Sequence, residues 1–97
     1  MKHISELHER NKAVSAKPVF KSIFGGNATA IQLLKNETLK EHSSKTDALL
    51  ICIEGKTRYK DEENNEYELH PGNYVDIKAN VKHWLESPID CQLLLIK

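Results

Sequence analysis

Five histidines and two cysteines hold most of the reactive chemistry in this chain of 97 residues. An imidazole can ligate a metal, accept a hydrogen bond or move a proton near neutral pH, and a thiolate can attack carbon or bind a soft metal. His42 opens the run HSSKTDALLICIEG and His83 closes the run PGNYVDIKANVKH, so both sit beside segments with a strong structural signal. Cys52 lies inside the first run and Cys91 near the chain end, and neither has a short-range pairing motif. In a reducing compartment both are most simply free, buried thiols. No helix N-terminus or basic cluster is evident beside either to lower its pKa, so neither reads as a nucleophile. His3 and His8 fall in a polar N-terminal stretch at a spacing that does not share a helical face, and His70 alternates outward before a turn. All three are expected at the surface. There is no nucleophile elbow, phosphate-binding loop or paired-cysteine motif, so hydrolase, nucleotide and zinc-finger chemistry have no footing and no catalytic residue is assigned.

The elements that must position these side chains are short and β-like. Ala48–Ile53 is apolar on both faces, as expected of a strand that sees little water on either side. Strands are expected over Lys17–Phe24, Ala28–Lys35, Thr38–His42, Lys56–Asp61, Glu66–His70, Tyr74–Lys78, Val81–Glu86 and Cys91–Ile96. Gly25-Gly26-Asn27, Asn36, Gly55, Asn64-Asn65, Pro71-Gly72 and Ser87-Pro88 separate them with turn chemistry. Near-regular strands of this length point to an all-β sandwich or barrel. Within Thr38–His42, alternation sets Leu39 and Glu41 on one face and Lys40 and His42 on the other. Ile4–Asn11 carries the marks of a short helical turn or a loose arm. The expected division is one domain over 1–97, with an arm over 1–16 and a barrel over 17–97.

Composition narrows the class. An apolar fraction of 39% with 29% charged residues is ordinary for a globular protein, and 97 residues leave room for one core. Formal charge sums to zero, so no global field recruits nucleic acid or an anionic membrane, and neither is expected as a partner. Asp61, Glu62, Glu63, Glu66 and Glu68 form a local acidic cluster, expected to be a solvated turn and its flanks. The polar opening residues lack a signal-peptide core and no segment reaches the roughly 20 apolar residues of a membrane span, so the expected location is the cytoplasm.

With the residues in view, the chain resembles the small single-domain cupins over roughly Ala28 to Ile96. Their first motif, G-x5-H-x-H-x3–4-E-x6-G, aligns from Asn36 with His42 at its first histidine and Gly55 at its last glycine. The second, G-x5-P-x-G-x2-H-x3-N, runs from Gly72 through His83 without a gap. The resemblance implies an antiparallel jelly-roll β-barrel with a short helical or irregular N-terminal arm. It also implies an interior site that usually holds a divalent metal on three histidines and a glutamate. Here Ser44 takes the second histidine position and Ala48 the glutamate position, while Lys78, Asn80 and Ser87 replace the proline, glycine and asparagine of the second motif. The metal site is thus degenerate: His42 and His83 are the only ligands left to a weakly held Zn, Fe, Mn or Ni ion. Asp47 and Glu41 alternate to the wrong face, whereas Cys52 shares the face of Ala48 and offers a soft third ligand.

Three readings follow. In the leading one the barrel interior binds a small organic molecule without robust metal catalysis, His42, Ser44 and His83 giving polar contacts and Leu50, Cys52 and Tyr74 nearby surface. The alternative is a metal-dependent oxygenase, isomerase or lyase built on His42 and His83. A third is a non-catalytic interaction module. Trp84 alternates outward from His83 and, with the apolar Ala48–Ile53 and Leu93–Ile96 segments, suggests an interface and a homodimer.

Overall fold

A computed structural model describes residues 1–97 as nine strands preceded by a single 3₁₀ turn at Ile4–Leu7. The strands are β1 (Val14–Lys21), β2 (Asn27–Leu33), β3 (Thr38–His42), β4 (Ala48–Glu54), β5 (Thr57–Asp61), β6 (Glu66–Leu69), β7 (Tyr74–Ile77), β8 (His83–Glu86) and β9 (Cys91–Ile96). All pairings are antiparallel, in one sheet ordered β1-β2-β9-β4-β7 and a second ordered β3-β8-β5-β6. This is the expected all-β jelly-roll barrel with a short N-terminal arm. None of its helices is long and apolar enough to cross a membrane.

Alternation explains which side chains fill the space between the sheets. In β4, Ala48, Leu50 and Cys52 are buried while Leu49, Ile51 and Ile53 are half-buried on the outer side. Leu93 of β9, Ile31 and Leu33 of β2, Tyr59 of β5, Leu69 of β6, Ile77 of β7 and Leu85 of β8 complete the core. The corners use residues that tolerate a left-handed backbone: Asn36, Asn64 and Asn80 have φ of 67°, 66° and 66°. Asn80 stands where the motif carries glycine, and its conformation shows why the exchange is tolerated. Gly55 is stricter. At φ +76° a Cβ on Gly55 would collide with the Asp90 carbonyl and crowd the Cys91 Cα.

Four expectations need correction. Strand β1 runs over Val14–Lys21 rather than Lys17–Phe24, because Val14 to Ala16 pair with Leu33 to Ile31. Ile23 and Phe24 consequently fall in the β1–β2 turn, 93% and 91% exposed. The acidic cluster is not uniformly solvated: Asp61 is buried and organises the β5–β6 hairpin. His8 is buried where the arm meets Ser15 of β1, while His3 and His70 are exposed as expected. The fourth concerns β3. Leu39 pairs with Leu85 and His42 with His83, so three steps on β3 match two on β8. That bulge reverses the alternation and turns His42 to the same face as Leu39.

Candidate functional site

The β3 bulge and the β8 register bring the two motif histidines together. Their ring centroids lie 4.1 Å apart at an interplanar angle of 61°, an edge-to-face contact. His42 Nδ1 is 2.9 Å from the Lys40 carbonyl oxygen and His83 Nδ1 is 3.1 Å from that of Val81. A carbonyl oxygen can only accept, so each Nδ1 carries the proton and donates. In the neutral rings each Nε2 therefore keeps a free lone pair. Burial pushes the pKa of His83 below its ordinary value, with His42 and Lys97 adding to the shift and the Val81 carbonyl and Asp61 opposing it. His83 is thus a neutral acceptor at neutral pH.

A second layer holds His83 in place. The Tyr59 ring stacks on it at 6.0 Å, and Asp61 is its cross-strand neighbour. The Tyr59 hydroxyl donates to Asp61 Oδ2 at 2.9 Å. Asp61 also accepts from the backbone N–H groups of Glu63 and Asn65, at 2.9 and 3.1 Å, and from the Asn65 side-chain amide at 3.1 Å. Burial favours the protonated carboxyl, but these donors outweigh it and leave the Asp61 pKa below its usual value. Burial and the Asp61 hydrogen bond push the Tyr59 hydroxyl well above its ordinary range. Nothing in the sequence around Asp61 marks it as different from its acidic neighbours. A weak signal lies in its place three residues before Asn64-Asn65, where a carboxylate can bridge a tight turn.

Beside His42 a cavity of about 700 Å³ opens between β1, β2 and β3. Val14, Ala16, Ile31, Leu39 and Leu95 supply its apolar wall, and Lys40, Glu41, His42 and Lys97 its polar rim. His42 lines this cavity, whereas His83 stands behind it, edge-on to the His42 ring.

The other expected site residues lie elsewhere. Ser44 sits in the β3–β4 loop and bonds to the Thr46 hydroxyl and backbone N–H, not to either histidine. Leu50 is a core residue, 2% exposed, and Cys52 is fully buried two residues deeper, opposite Leu93. The Cys52 thiol lies 3.7 Å from the Glu54 and Gly55 carbonyl oxygens, and burial with the nearby Cys91 pushes its pKa up to about 11. The thiol is held protonated, and Cys52 forms no cluster with His42 and His83 able to hold an ion. Tyr74 pairs with Ile51 and faces outward, 63% exposed, on a polar cleft of about 550 Å³ beside β6 and β7. Trp84 is only partly exposed and lies across from Lys60. Leu39, Ile31 and Leu95 were missed as site residues because alternation without the bulge separates Leu39 from His42.

A divalent metal fits this donor set poorly. The Nδ1–H to carbonyl bonds orient both rings as metal-bound imidazoles are oriented. No third His, Cys, Asp or Glu joins them in a cluster able to hold an ion, and protein metal sites need three or four ligands.

Neither a protein-family model nor a curated protein matches the sequence. Solved structures match closely in shape. A cupin superfamily protein from Desulfitobacterium hafniense superposes with a TM-score of 0.85 at 16% identity, covering 97% of this chain and 84% of that one. A cupin 2 conserved barrel domain protein from Leptotrichia buccalis gives 0.84 at 20% identity over 99% of this chain and 46% of its own. An RmlC-like cupin family protein with a double-stranded β-helix fold, from Methanocaldococcus jannaschii, gives 0.77 at 19% identity over 93% and 84%. Two antiparallel sheets joined in this order, with the motif histidines meeting across β3 and β8, give the chain the fold of the small RmlC-like cupins.

Proposed function

We propose that the cavity beside His42 binds a small organic molecule with an apolar body and one hydroxyl or N–H donor. The observation that carries this reading is an open cavity of about 700 Å³ with an apolar wall and His42 on its rim, the His42 Nδ1 being engaged by the Lys40 carbonyl. Ile31, Leu39 and Leu95 take the body of the ligand, and burying it supplies most of the affinity. The Nε2 lone pair accepts the donor and fixes orientation, with His83 backing the ring. Lys40 and Lys97 outnumber Glu41 at the rim and favour a neutral or anionic ligand over a cation. A fragment library screened by NMR tests the reading. Fragments with an apolar ring and one donor should shift signals of Ile31, Leu95 and His42, and His42→Ala should weaken them about tenfold, as expected for one hydrogen bond. Equal affinity for wild type and His42→Ala would reject His42 as the anchor.

The large sheet favours a second, compatible reading as a homodimer. Leu49, Ile51 and Ile53 of β4 and Leu94 and Ile96 of β9 form an apolar outer stripe, with Tyr74 exposed beside it. A partly exposed apolar stripe of this kind suits an interface. The interface expected at Trp84 is better drawn on this stripe, since Trp84 is partly covered on the other sheet. A dimeric mass at micromolar concentration that becomes monomeric in Ile51→Lys supports this reading; a monomeric wild type ends it.

A further inference from the structure

The outer face of the large sheet carries a polar row beneath the N-terminal arm. Ser15, Gln32, Gln92 and Glu54 are cross-strand neighbours on β1, β2, β9 and β4. The arm closes over them. Gln32 Nε2 donates to the Glu9 and Lys12 carbonyl oxygens, both at 2.9 Å, and His8 Nδ1 meets the Ser15 hydroxyl at 2.7 Å. His3 Nε2 lies 3.0 Å from Glu54 Oε1. No residue of the Ile4–Leu7 turn is fully buried; Ile4 is half-buried and lines a groove with Leu7, Val19 and Leu94, and the polar contacts add to what holds the arm down.

Those contacts are incomplete. Because the Gln32 amide donates to two carbonyls, its Oε1 must accept from Gln92 Nε2, at 2.8 Å. That leaves Gln92 Oε1 buried with no donor, and His8 Nε2 is buried with no partner either. His8 itself is only 7% exposed. A neutral imidazole needs one partner at most as a donor, and Ser15 provides it. An imidazolium must donate from both nitrogens, and in this seat no acceptor lies within hydrogen-bond distance of Nε2, neither Gln92 Oε1 nor a carboxylate of the adjoining cleft.

We propose that residues 1–13 form a displaceable strap, seated on the large sheet while His8 is neutral and released when His8 is protonated. The charged groups around His8 agree with this. Burial and Lys17 of β1 lower its pKa. Glu6 and Arg10 of the arm, Glu54 of β4 and Asp90 of the β8–β9 loop line the adjoining cleft, but none bonds His8. Glu54 is engaged by His3, and Asp90 Oδ1 accepts the Lys35 backbone N–H at 2.7 Å. The His3–Glu54 pair strengthens when His3 is charged, so it opposes release.

Backbone ¹⁵N relaxation of the full chain tests the strap between about pH 7.5 and about pH 5. If the seated form binds no proton at His8, the released population rises by up to about 30-fold over that range, from an unperturbed His value near 6.5. Residues 3–12 should be as rigid as the barrel at the upper pH and mobile at the lower, with loss of the protected Gln32 side-chain amide signal. His8→Gln, which can still bond Ser15 but cannot charge, should hold the arm in the same state at both. An arm that is mobile at both pH values, or rigid at both, overturns the proposal. So does His8→Gln showing the wild-type pH response, which would assign the change to His3 or another group.

Discussion

Replacing Asp61 by alanine removes the acceptor of four hydrogen bonds at once, and the structure says what each loss costs. The backbone N–H groups of Glu63 and Asn65 and the Asn65 amide belong to a hairpin open to water, so their loss costs a fraction of a bond each. The Tyr59 hydroxyl is different: its residue is 1% exposed, and without Asp61 a buried donor is left unpaired. At about 1–3 kcal/mol for that orphan and about 0.5 kcal/mol for each of the three hairpin bonds, Asp61→Ala loses about 2.5–4.5 kcal/mol. For a domain of this size that lowers the Tm by about 10–35 °C. Urea denaturation of the wild type, Asp61→Ala, Tyr59→Phe and the double variant measures it. Tyr59→Phe should cost about 1 kcal/mol alone and nothing, or less, beside Asp61→Ala. The sign of the pH dependence follows from the lowered Asp61 pKa. The stabilisation is present above the unfolded carboxyl value of about 3.9 and is lost as pH falls through the folded value. The gap between Asp61→Ala and wild type should therefore be flat from about pH 7 to about pH 5 and begin to narrow below about pH 4. A loss under about 0.5 kcal/mol, or equal Tyr59→Phe costs in both backgrounds, would refute the hub.

Other consequences are simpler to check. Gly55→Ala places a Cβ against the Asp90 carbonyl at a positive φ, so denaturant midpoints should show a loss of about 3 kcal/mol or more. With its thiol pushed up to about 11 and fully buried, Cys52 should resist a thiol reagent in the native protein at pH near 8 and react only on unfolding. Leu39→Ala should weaken fragment binding at the cavity about as much as His42→Ala, because the bulge sets both on one wall; an unchanged affinity would place the ligand elsewhere.

Much of the barrel was legible because strand signals and turn residues agree. Thr38–His42 and Cys91–Ile96 fall where alternation and glycine or asparagine corners put them, and the burial in Ala48–Ile53 follows its run of apolar residues. What could not be read depends on partners distant in sequence. The β3 bulge arises from pairing with β8, 40 or more residues on, and it decides which way His42 points. His8 looks like a surface residue until the arm folds back on Ser15, and Tyr74 looks inward until Ile51 fixes its register. Asp61 reads as one carboxylate among five until the hairpin closes around it. Motif spacing brought His42 and His83 to one place, yet only the geometry showed that Ser44 and Cys52 do not join them.

Side-chain ¹⁵N NMR of the histidines, recorded during separate titrations with a bound fragment and with Zn²⁺, tests the central claim most directly. The account expects His83 neutral, a proton on Nδ1 of both rings, the His42 Nε2 signal shifting with the fragment, and no stoichiometric Zn²⁺ complex. A tight one-to-one Zn²⁺ complex that shifts both Nε2 signals and is lost in His42→Ala and His83→Ala would contradict it, and would make the barrel a metal site.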